Sequence, residues 1–179
     1  MRLRNLLTEK RSAILKKWCD GILESYPADT STFLKNNQNQ FANPVGHTIR
    51  RGTEAMFDAI LQGTDFDKVF PFLDEIIKIR AIQDFTPSQA VSFILSLKKI
   101  IREELASNAP GASTSGELPE FDDRIDSLAL ASFDMYMKYR ERLCNLKANE
   151  SRRLTFRLLQ RANLLCETGE QDTELATGN

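Results

Sequence analysis

An all-α fold is what this 179-residue sequence predicts. Three observations predict it. Apolar side chains recur at three- and four-residue spacing along most of the chain, which places them on one face of a helix. Helix start and stop signals, Thr86-Pro87-Ser88-Gln89 above all, punctuate those stretches. No segment of useful length alternates apolar and polar residues as a half-buried strand would, and no internal repeat is present.

The elements follow in order. Leu7, Ile14, Leu15, Trp18 and Ile22 define a first helix over about residues 7–22, which YPADT breaks. A short helix follows over about residues 30–36. NNQNQFANP reads as polar loop, and Pro44 suits the first turn of the next helix. That helix runs to about residue 62 and buries Val45, Ile49, Met56, Phe57 and Ile60, with Gly63 as its C-cap. A fourth helix covers about residues 67–83. Thr86, Pro87 and Gln89 then supply an N-cap, a proline at N1 and the far half of a capping box. The helix they start carries Ala90, Val91, Phe93, Ile94, Leu95, Leu97, Ile100, Ile101 and Leu105 over most of its circumference. Only Ser92, Ser96, Lys99 and Glu103 form a narrow polar strip, the pattern of a central helix.

SNAPGASTSGE is a flexible linker by composition. A long helix begins near Leu118 with the stripe Phe121, Ile125, Leu128, Ser132, Met135, Tyr139, Leu143 and Leu146. KANESRR interrupts that stripe without glycine or proline, so the helix can run on. Leu154, Leu158, Ala162 and Leu165 resume it beyond a bundle that is already complete. The expected organisation is therefore a helical domain over residues 1–147, a helical extension over 148–166 and a disordered polar tail over 167–179. An apolar stripe with no place in its own fold tends to be covered by another chain, most simply by the same helix of a second copy. Leu154, Leu158, Ala162 and Leu165 are the candidate dimer or partner surface, with folding back onto the bundle as the competing reading.

Composition narrows the function classes. Twenty-four basic and 25 acidic residues nearly cancel, giving a formal net charge of −1 and no global attraction to nucleic acid or an anionic membrane. Arg152, Arg153, Arg157 and Arg161 crowd the end of the chain, but no aromatic stacking platform accompanies them. Cys19, Cys144 and Cys166 are widely spaced and read as free thiols in a reducing compartment. The first residues contain no uninterrupted apolar core of a signal peptide, and no run reaches the roughly 20 residues of a membrane span. The expectation is a cytoplasmic protein with no nucleic-acid or membrane partner.

Catalytic signatures are missing. The sequence holds no HExxH, Walker motif, GxGxxG or nucleophile elbow. His47 is its one histidine, placed near a helix start and expected at the surface. Its carboxylates form no evident acid–base pair. No enzyme activity, cofactor or metal is expected.

One cluster departs from the apolar pattern. On a helical wheel of residues 69–84, Val69, Phe70, Phe72, Leu73, Ile76 and Ile77 share one face, and Asp74, Glu75 and Lys78 the other. Arg80 falls in the middle of the apolar face, with Gln83 and Asp84 on its flanks. A buried arginine must be paired or reach water. Asp84, four residues on, is the expected partner. Two readings stand side by side. Arg80 and Asp84 either shape the end of the helix, or Arg80, Gln83 and Asp84 form an internal polar site that takes a small anion or switches on partner contact.

FANPVGHTIRRG, LDEIIKIRAIQDFTPSQAVSFILSLKKIIREEL and RIDSLALASFDMYMKYRERL together resemble the N-terminal sensory domain of stressosome RsbT co-antagonist proteins of the RsbRD type. The resemblance spans about residues 3–165. It implies an all-helical, globin-like fold without haem, usually dimeric, that passes a signal to an output domain. A haem globin needs a histidine on the helix before the long central one. Here residues 67–83 contain none, and Arg80 and Gln83 are expected on the inner face instead. Only a short polar tail follows the helical region, so output is expected through surfaces of the domain itself, unless the chain is a fragment. The reading is a signal-sensing or regulatory domain acting through a homodimer and a protein signalling partner, with a small ligand admitted. The rival is a ligand-free helical scaffold or adaptor working through its last helix.

Overall fold

A computed structural model describes residues 3–37, 39–63, 66–83, 85–108 and 116–162. Among the described residues it contains seven α-helices, one 3-10 turn and no strand: α1 (Leu3–Glu9), α2 (Arg11–Glu24), α3 (Ala28–Asn36), α4 (Pro44–Gln62), the 3-10 turn Phe66–Lys68, α5 (Phe70–Ile82), α6 (Pro87–Asn108) and α7 (Glu117–Arg161). The fold is all-α, as the periodicity predicts. The chain divides into two compact units, Met1–Glu141 and Arg142–Asn179.

The first unit holds the core. α2 packs against α3, α4 and α6, and α4 packs against α5. Trp18, Ile49, Met56, Phe57, Leu73, Ile77, Ile94 and Leu97 are among its fully enclosed side chains. Each contributes roughly 1.5–3 kcal/mol by leaving water. Trp18 also binds α2 to α6 directly: its indole Nε1 donates to the Phe93 carbonyl at 2.6 Å inside the core, and its ring stacks on that of Phe93. α4 and α5 approach so closely that a Cβ at Gly52 would lie 2.5 Å from Ile76 Cδ1. From α7, Phe121, Ile125, Leu128, Ser132 and Tyr136 are buried. The Tyr136 hydroxyl donates to the Phe85 carbonyl, and the Tyr139 hydroxyl to Asp74 at 2.7 Å.

Local signals explain the helix ends. Asn43 caps α4, its side chain accepting from the Gly46 N–H at 2.8 Å while its own amide donates to the Leu34 and Asn37 carbonyls. The sequence reading had placed that asparagine in an undifferentiated loop. Gly63 ends α4 in the left-handed region, φ 69°, as expected. Arg124 from α7 donates to the nearby Ile60 carbonyl at 3.0 Å, satisfying one of the orphan acceptors of that end. The capping box before α6 is formed: Thr86 N–H donates to Gln89 Oε1 at 3.0 Å and Gln89 N–H to Thr86 Oγ1 at 3.3 Å.

Several boundaries differ from expectation. The first helix begins earlier, at Leu3, and is interrupted at Lys10 (φ −91°, ψ 5°), whose N–H still donates to the Leu6 carbonyl and whose carbonyl accepts from the Ile14 N–H, each at 3.0 Å. The helix expected from residue 67 starts at Phe70, because Phe66–Lys68 coil into the tighter 3-10 form. α6 is less enclosed than its composition implies, since Leu95 is exposed. α7 does run through KANESRR, as the absence of glycine and proline allows. Its buried positions end with Tyr136, and from Cys144 to Ala162 every residue is exposed. Most of the linker and the whole of the polar tail lie outside the described residues.

The cap makes a direct prediction. Thr86→Ala removes the acceptor for the Gln89 N–H and should lower stability by about 1 kcal/mol, whereas Thr86→Ser should cost far less. Urea unfolding of the three proteins measures both.

Candidate functional site

α5 carries Leu73, Ile76, Ile77, Arg80 and Ala81 on its buried face. The wheel therefore placed Arg80 correctly: it is 1% exposed, among the largest fully enclosed side chains of the protein. Its guanidinium meets parts of three elements. Nη2 donates to Ser25 Oγ at 3.0 Å, at the end of α2, and to the Gln89 carbonyl at 3.1 Å, in the first turn of α6. Three aromatic rings surround it, Phe85 at 4.2 Å from the ring centre, Phe93 at 5.3 Å and Tyr26 at 5.7 Å. Tyr26 and Phe85 pack edge to face.

This cage leaves the cation under-satisfied. Nε and Nη1 are buried and have no hydrogen-bond partner, and neither has the buried Tyr26 hydroxyl beside them. Burial pulls the guanidinium pKa below its ordinary value, with the neighbouring Tyr26 opposing the shift. Burial likewise pushes the Tyr26 phenol up, and Arg80 restrains it. An arginine stays charged under these conditions. Magnitudes show a near balance. Desolvating the ion costs several kcal/mol. Two hydrogen bonds to a charged group return about 1.5–3 kcal/mol each, and a desolvated cation–π contact about 2 kcal/mol.

Two hollows adjoin the cluster. One, a groove of about 610 Å³ between α2 and α6, has Arg80 in its wall together with Gly21, Ser25, Phe93, Ser96 and Ile100. The other, of about 470 Å³, is lined by Ser25, Tyr26, Gln83, Phe85 and Gln89 among others. Ser25 belongs to both.

The other residues expected at this site fare differently. Gln83 is exposed, not inward: it is the C-cap of α5, with φ −87° and ψ 19°, so the helical wheel no longer governs its direction. Asp84 lies outside the described residues, and so does the ion pair expected of it. Ser25, Tyr26, Phe85, Gln89 and Phe93 were not anticipated. Phe85 and Gln89 sit within a few residues of Arg80, but Ser25 and Tyr26 precede it by more than fifty, and only the fold brings them together. On the second unit, Leu154 and Leu158 are 53% and 65% exposed. Ala162 is exposed too, and Leu165 lies outside the described residues. Phe156 and Leu159, which the stripe omitted, widen the apolar surface. His47 is half-buried near the start of α4, not on the open surface as expected. Among the described residues no three His, Cys, Asp or Glu side chains gather as a metal site, and no helix is long and apolar enough to cross a membrane.

The chain belongs to the family of the RsbT co-antagonist protein rsbRD N-terminal domain, which it matches over residues 12–151. That span contains Arg80 and its whole cage, and ends before Leu154. Neither a curated protein nor a solved structure matches the chain.

Two predictions arise from the cluster and its surroundings. Arg80→Met keeps much of the volume and removes the desolvated charge, so its stability should stay within about 1 kcal/mol of wild type. Arg80→Ala opens a cavity and should lose about 2–5 kcal/mol. Denaturant unfolding of both checks the balance, and a Met variant as unstable as the Ala variant would contradict it. Secondly, α5 offers no histidine, and Leu73, Ile76 and Ile77 are fully packed along its inner face. The protein purified from haem-supplemented cells should show no Soret band, and should take up no stoichiometric haem on reconstitution. A stable complex lost on His47→Ala would overturn this.

Proposed function

We propose that this chain is a cytoplasmic, non-enzymatic signal-input domain, globin-like but without haem, that works as a homodimer and through contacts with a protein signalling partner. The observation that carries the reading is the family match across residues 12–151, which takes in nearly all of the helical body. Input fits the caged Arg80, a charged group held inside the bundle with unfilled hydrogen-bonding capacity. Output fits exposed apolar surface. Leu154, Phe156, Leu158 and Leu159 supply one such surface on the second unit. Leu95, Leu130 and Phe133, around a hollow of about 870 Å³ between α6 and α7, supply another on the first. Exposed apolar area of this kind marks sites of association.

The second reading is a ligand-free scaffold or adaptor that acts through the terminal helix alone. The exposed stripe favours it as much as it favours the first reading. What would separate them is a ligand at Arg80, which an adaptor does not require.

Self-association is tested by sedimentation of the full chain. Wild type should be dimeric at tens of micromolar. Leu154→Asp combined with Leu158→Asp should shift it toward monomer while helical content and the thermal transition of the first unit stay largely unchanged. A monomeric wild type, or a double variant that remains fully dimeric, would remove the terminal helix from the proposal.

A further inference from the structure

We propose that the groove between α2 and α6 is a binding site for a small monocarboxylate with an apolar body, its carboxylate entering beside Ser25 and engaging the guanidinium of Arg80. The proposal rests on the signal-input reading and names the class of ligand for it. Of the five N–H donors of an arginine, the single one on Nε and the two on Nη1 are unpartnered, while Nη2 is held by Ser25 and Gln89. Nη1 and Nη2 form the end of the planar fork that a carboxylate fits with two parallel hydrogen bonds. Ser25 is exposed, and it is the side chain that both lines the groove and touches Nη2.

Charge on the rim limits the ligand to one negative charge. Lys17 is bonded to Glu104 at 2.5 Å, Lys99 lies 3.8 Å from Glu103, and Glu24 is bonded to Lys35 at 2.7 Å. The rim sets Lys17 and Lys99 against Asp20, Glu24 and Glu103, so its balance of charge does not favour a dianion such as phosphate. One buried guanidinium is answered by one carboxylate. Phe93 and Ile100 supply the apolar part of the wall, which suits a short aliphatic or aromatic body better than a further polar group.

Gly21 gives an independent indication that the groove is kept open. It lies inside α2, where glycine costs about 1 kcal/mol relative to alanine. Nothing stands within 4 Å of the position a Cβ would take, so packing does not require the missing side chain. Its one consequence for the surroundings is free space in the groove wall.

The full chain is tested with benzoate and butyrate as probes, by thermal melting and titration calorimetry at constant ionic strength. Neutral benzamide, chloride and inorganic phosphate serve as controls. Wild type should show a saturable rise in melting temperature with at least one carboxylate and none with the controls. Arg80→Met should abolish it. Gly21→Leu leaves Arg80 and its cage untouched, favours the helix and fills the groove, so it should remain folded and bind at least tenfold more weakly. A wild type with no saturable carboxylate response, an equal response to phosphate or benzamide, or undiminished binding in folded Gly21→Leu would each overturn the proposal. Any of these results in a protein that still dimerises through Leu154 and Leu158 removes the ligand class while leaving the regulatory reading in place.

Discussion

A guanidinium shut away from water at the end of α5 has to be answered from several directions at once, and the answer ties three parts of the chain together. Ser25 closes α2, Gln89 opens α6, and Phe85 comes from the short connection between α5 and α6. None of these contacts is local to α5. Displacing any of them exposes a desolvated charge, so the relative placement of α2, α5 and α6 at this corner is bound to the cation they enclose. The same corner carries the capping box of α6, whose Gln89 lends its side chain to the cap and its carbonyl to Arg80. The connection is held from the other side by Tyr136, which donates to the Phe85 carbonyl.

Elsewhere the first unit is held largely by apolar packing, and the corner at Arg80 stands in contrast to it. Around Gly52 and Ile76, α4 and α5 meet closely. At Trp18 the one buried indole N–H finds its acceptor on Phe93. Among the described residues the buried side-chain polar atoms find partners, except around Arg80 and Tyr26, where three do not. Locally unsatisfied polar chemistry is where proteins depart from their own packing rules, and such departures cluster at sites. The cluster also adjoins the groove between α2 and α6, with Gly21 in its wall.

The second unit follows a different physical logic. Its described part, residues 142–162, is one helical stretch whose apolar side chains face solvent. It continues α7 without a break, so its helix needs no new nucleus, yet its apolar side chains gain no burial within the described chain. Regulation through this segment would consist of covering and uncovering it, whereas regulation at Arg80 would consist of satisfying a charge. The family match takes in the whole cage and stops at residue 151, before the leucines of the stripe.

Sequence by itself determined the all-α class, the capping box at Thr86 and the glycine stop at Gly63; it allowed α7 to run through KANESRR and put Arg80 on the apolar face of α5 without deciding what encloses it. Each depends on spacing within one helix or on the chemistry of a few consecutive residues, and such information is written locally. The same local logic failed at Gln83, because a wheel holds only while the backbone stays helical, and α5 ends there. It failed at Leu95, where an apolar residue on a rich helix faces outward, since periodicity cannot say how much of a circumference the neighbours will cover. Only the tertiary structure decided what surrounds Arg80. Tyr26 and Ser25 are remote in sequence, and an aromatic ring or a serine before a proline carries no mark of the cation it will meet. The space left open beside Gly21 is likewise a property of two helices together, because a void is defined by what packs around it.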